Sequence, residues 1–113
     1  MGDRGSISVI NSGANYPPIM SEGIPVLFRY WGGSLEAMRQ LADALRSALP
    51  ADMKDSDPYA ARDPASCMAL LVHIAVEQDG YSAYLGKTTD DGDNSDNGHY
   101  VLDLATWEIE HTG

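Results

Sequence analysis

One stripe of apolar side chains limits the folds open to this chain more than any other feature of its sequence. Leu35, Met38, Leu41, Ala42, Leu45 and Leu49 recur at three- and four-residue spacing, behind Ser34 as N-cap and ahead of Pro50. That pattern predicts a helix with one apolar face. Its other face alternates in sign through Glu36, Arg39, Asp43 and Arg46 and belongs in water. A one-sided helix needs a second layer to bury its stripe. The segments around it supply short strands: residues 6–11, where Ile7 and Val9 alternate with polar neighbours, then 26–30, 81–85 and 99–104. A last strand has Trp107 and Ile109 alternating with Glu108 and Glu110. Asp63 and Pro64 read as N-cap and first position of a second, mostly buried helix that stops at Gly80. The β-branched Val72, Ile74 and Val76 make a strand the competing reading there. Residues 12–15 carry turn chemistry, residues 16–25 hold three prolines and cannot be a central strand, and residues 51–62 are a polar loop. The expected fold is α+β, an antiparallel or mixed sheet of four to five strands with two helices packed on one face.

The chain has 113 residues and is 43% hydrophobic, enough to bury roughly 60–68% of its unfolded surface in one core. A single domain, residues 1–113, is expected. The longest apolar run is too short to span a bilayer and is interrupted by His73, and no secretory leader pattern opens the sequence. The expectation is a cytoplasmic protein with no membrane partner. Cys67 has no second cysteine to pair with and reads as a buried thiol in a reducing compartment.

Charge is distributed unevenly. The chain carries a formal net charge of −10, and residues 63–113 hold ten acids (Asp63, Glu77, Asp79, Asp90, Asp91, Asp93, Asp96, Asp103, Glu108, Glu110) against Lys87 alone. Residues 1–62 are nearly neutral. Such a field attracts basic partners and repels nucleic acid and anionic lipid. Residues 87–98 contain Asp90, Asp91, Asp93 and Asp96 with no apolar side chain, so this segment reads as a flexible acidic hairpin loop. Asp103, Glu108 and Glu110 are expected on strands, which hold their charges in place beforehand. These seven carboxylates are the candidate partner-binding residues.

Motifs for chemistry are weak. Asp93 to Gly98 offers oxygens at positions 1, 3 and 5 and glycine at 6 of a calcium loop, but position 12 is Leu104 where a bidentate glutamate is needed. His73, His99 and His111 are scattered without metal-ligand spacing. No nucleophile-elbow, phosphate-loop or dinucleotide string occurs, and Gly32-Gly33 before Ser34 reads as a turn. Met1-Gly2 with Ser6 fits the loose myristoylation pattern, but one acyl chain holds a membrane only marginally and the net charge opposes anionic lipid. Trp31 and Trp107 read as packing residues. No catalytic site, metal or cofactor is expected; a metal-dependent hydrolase would require His99 and Asp103 to meet in a cleft.

Two strings carry a resemblance. Met1-Gly2-Asp3-Arg4 leading into an alternating strand, and Tyr30-Trp31-Gly32-Gly33 between a strand and a helix, resemble small phage and prophage proteins of unassigned function. The likeness extends loosely to Gly80-Tyr81 through Leu85-Gly86 and to Val101-Leu102-Asp103, although the loop before the last strands is longer and more acidic here. A compact acidic protein of this type is similar to anti-CRISPR proteins, several of which imitate the charge of nucleic acid. The resemblance implies a non-enzymatic inhibitor of a host defence system that blocks a basic nucleic-acid-binding protein or complex, such as a CRISPR effector, in the bacterial cytoplasm, without binding nucleic acid itself. The alternative is an acidic interaction or regulatory module without mimicry.

Overall fold

The structure is a computed structural model that describes residues 3–12, 25–49 and 64–112. The readings made for Met1-Gly2, residues 13–24, residues 50–62 and the Asp63 cap lie outside the described residues. The elements are β1 (Gly5–Ile10), β2 (Val26–Arg29), α1 (Leu35–Ala48), α2 (Pro64–Asp79), a single 3-10 turn (Gly80–Ser82), β3 (Ala83–Gly86), β4 (His99–Asp103) and β5 (Glu108–His111). Five strands form one mixed sheet in the order β3-β2-β1-β4-β5. Only the central pair, β1 with β4, is parallel. The fold is α+β.

Strand parity gives the sheet two unlike faces. Ile7, Val9, Leu27, Tyr100 and Leu102 share the face that joins Met38, Leu41, Leu45, Cys67, Met68, Leu71 and Ala75 of the helices in one core. Ser34 caps α1 by accepting from the Ala37 amide, and the stripe is buried from Met38 to Leu49; Leu35 remains exposed. The thiol of Cys67 is buried. At the end of α2, Asp79 takes two hydrogen bonds from Arg29 on this face.

Four readings are corrected. The second helix is buried on one side only: Val76 is 46% exposed, and His73 and Glu77 pair in solvent, because the sheet covers a single helical face. Residues 80–82 form a 3-10 turn, closed by Ser82 Oγ donating to the Asp79 carbonyl, so β3 starts two residues later than expected. Trp107 is not in the last strand. Its φ of 58° places it in the turn before β5, with its amide donating to the Asp103 carbonyl at 2.6 Å. Finally, residues 87–98 do not close a hairpin, since β3 lies at one edge of the sheet and β4 beyond β1. The segment instead crosses the sheet.

Candidate partner-binding face

The face opposite the helices is the acidic one. Tyr84, Phe28, Ser6 and His99 lie in register on four adjacent strands and point away from the helical layer. The acidic segment passes over this row. Phe28 stacks on Tyr84 with centroids 5.1 Å apart, and Gly92 lies so close that an added Cβ would meet Tyr84 at 2.6 Å and Phe28 at 2.8 Å. Asn94 donates from Nδ2 to Ser6 Oγ, which sits 2.8 Å from His99 Nδ1. Burial, with the nearby His111 charge adding to it, lowers the His99 pKa and favours the neutral ring.

Most of the loop carboxylates are held by the protein's own donors. Arg4 bonds Asp93 at 2.7 Å and Asp96 at 2.9 Å, and lies 5.7 Å over the Tyr30 ring. The hydrogen bond with Asp96 leads the causes that raise the Arg4 pKa. The Asp96 carboxyl is lowered first by that same bond, and Asp93 first by the Ser95 hydroxyl and amide and then by Arg4. Asp91 accepts from the Lys87 and Thr88 amides, which lower its pKa. Asp90 is exposed and its carboxylate has no partner among the described residues.

Asp103, Glu108 and Glu110 are brought together on this same face. Asp103 pairs with Glu108 across β4 and β5, and Val101 with Glu110, so all four side chains project to one side. With Ile10, Val101, Thr106 and Ile109 the three acids surround a concave site of about 310 Å³. Their tasks differ. Asp103 accepts from Ser12 N, Ser12 Oγ and Ala105 N. Burial pushes its pKa up, but these bonds outweigh it and hold the carboxyl below its ordinary value. Glu108 and Glu110 are exposed and unbonded at their carboxylates among the described residues.

His99 and Asp103 sit at opposite ends of β4 and do not meet. Leu104, at the twelfth calcium-loop position, is fully buried, and among the described residues no group of three or more His, Cys, Asp or Glu side chains is arranged to hold a metal. No helix among them is long and apolar enough to cross a membrane.

Sequence reasoning missed Arg4. The signal was present in the two strings that carried the resemblance, because they meet in space: Asp3 N donates to the Tyr30 carbonyl, Gly33 N to the Asp3 carbonyl, and Ser34 N to the Asp3 carboxylate. Gly5 and Gly33 allow this approach, since a Cβ on Gly5 would stand 2.6 Å from the Gly33 carbonyl oxygen. Asn97 joins the node by donating to Asp3 and Arg4. Comparison with protein-family models, curated proteins and solved structures finds no match to the chain.

Proposed function

We propose that this protein is a non-enzymatic binding protein of inhibitor type, which docks its acidic sheet face on a basic, nucleic-acid-binding surface of a host defence complex. The observation that carries the reading is the gathering of Asp103, Glu108 and Glu110 on the face that the acidic loop crosses, with Arg4 as the cation tied to it. Lysine- and arginine-lined grooves respond to negative charge held at fixed positions, and strand-borne carboxylates need no ordering on binding. Glu108 and Glu110, two residues apart on β5, are spaced by about 6.8 Å, close to two steps of roughly 3.4 Å along one DNA strand.

A second reading has its own support. The carboxylates surround a concavity with an apolar floor of Ile10 and Val101, which suits an interaction module that accepts a side chain rather than a mimic of a smooth row of charge. The test is the pair of substitutions Glu108→Lys and Glu110→Lys in a target-DNA competition assay with a CRISPR effector, beside circular dichroism. Asp103 is left intact because Ser12 and Ala105 depend on it. The mimic reading expects a folded protein that no longer competes with DNA. A folded variant that competes like wild type sinks it, and a wild type that binds a basic protein without displacing nucleic acid selects the module.

A further inference from the structure

The open edge of β5 adds a second kind of recognition to the acidic face. The parity of hydrogen bonds across β4 is fixed by Thr112 N donating to the His99 carbonyl on one side and Ser6 N and Leu104 N pairing with Gly98 and Ile10 on the other. Glu108 and Glu110 therefore turn their backbone groups inward, towards β4 and, for the Glu108 amide, the Thr106 hydroxyl, while Ile109 and His111 turn their amides and carbonyls to the edge of the sheet. Among the described residues nothing pairs with them. Beside this edge lies a cleft of about 400 Å³ between α1 and the β4–β5 turn, lined by Arg39, Ala42, Asp43, Trp107, Glu108 and Ile109. Trp107 is fixed there by its left-handed backbone and by Arg46, whose guanidinium carbon lies 5.3 Å over the indole ring.

We infer that β5 accepts an extended, basic peptide segment of the partner as a sixth strand. The inference rests on the basic-partner reading above and names how the partner is held. A strand added to β5 alternates its side chains between the two sheet faces. On the helical side an apolar residue meets Ala42, Trp107 and Ile109, with Asp43 at the rim. On the other side lysines or arginines two residues apart stand opposite Glu108 and Glu110, where unlike charges across strands attract. The same two glutamates oppose a second copy of this chain at the edge, since self-pairing sets carboxylate against carboxylate.

The experiment titrates the full chain, labelled with nitrogen-15, with a hexapeptide alternating valine and lysine. A second peptide of equal charge is N-methylated at the amides that would face β5. The expected result is saturable binding, shifted and exchange-protected Ile109 and His111 amides, and affinity about tenfold weaker for the methylated peptide. Equal affinity for both peptides, with the Ile109 and His111 amides unmoved, overturns strand addition and leaves the basic-partner reading standing. Failure of both peptides to bind at low salt overturns both. Protection of the same amides that grows with protein concentration in the absence of peptide makes a second copy the occupant and overturns the peptide.

Discussion

Arg29 is 4% exposed and its guanidinium bonds Asp79 through Nε at 2.6 Å and Nη2 at 3.0 Å, while Nη1 has no partner among the described residues. A buried cation with one donor already unused cannot lose its counterion cheaply. Asp79→Ala is expected to cost about 3–5 kcal/mol, read as a lower urea midpoint, and replacing both residues by apolar ones should recover most of it. An unchanged midpoint in the single variant would mean that Gln78, 3.3 Å from Nη2, carries the contact. Legibility at this scale followed sequence distance. The Ser34 cap was readable because its bond reaches only to Ala37, three residues on. Arg4 was not, because its partners stand 89 and 92 residues away. Asp103 was placed on the right strand, but its bond with the Ser12 hydroxyl was not readable, because Ser12 comes 91 residues earlier.

Between elements, the acidic segment shows how a stretch without apolar side chains is fastened. Glycine lets its backbone lie on Phe28 and Tyr84, and carboxylates accept from amides and from Arg4, so contacts come from the backbone where composition suggested none. Periodicity located nearly every helix and strand, because apolar spacing is a local property. It could not show that β3 and β4 lie on either side of two intervening strands, which depends on pairing across the whole sheet. Asp93 and Asp96 have folded pKa values below the ordinary carboxylate value of about 3.9. Their contribution to stability is therefore complete above about pH 3.9 and is lost as pH falls through the lower folded values. Arg4→Ala is expected to speed hydrogen exchange at Asn97 and Gly98 at neutral pH and to reduce this acid-side loss. Identical exchange in both proteins would assign the fastening to the loop's own backbone bonds.

At the scale of the whole molecule, the sheet separates apolar and charged surfaces, with both helices on one face and the acidic segment on the other. A net charge of −10 so arranged would act on the basic partner proposed above through a field that salt screens over about 8–10 Å. Affinity for that partner should fall steeply as ionic strength rises, in a titration at low and high salt. An affinity that does not move would place the contact on exposed Tyr30, Trp31 and Leu85 instead. The parallel pair at the centre of the sheet also governs the order of events during synthesis. Ser6 lies against His99, so β1 waits for β4, 93 residues further on, before its second edge is covered. Until then Ile7 and Val9 belong to an open strand, and closing so long a loop slows folding while the nascent chain is exposed to misassembly. The antiparallel union of β1 with β2, fewer than thirty residues along, gives the emerging chain an earlier shelter.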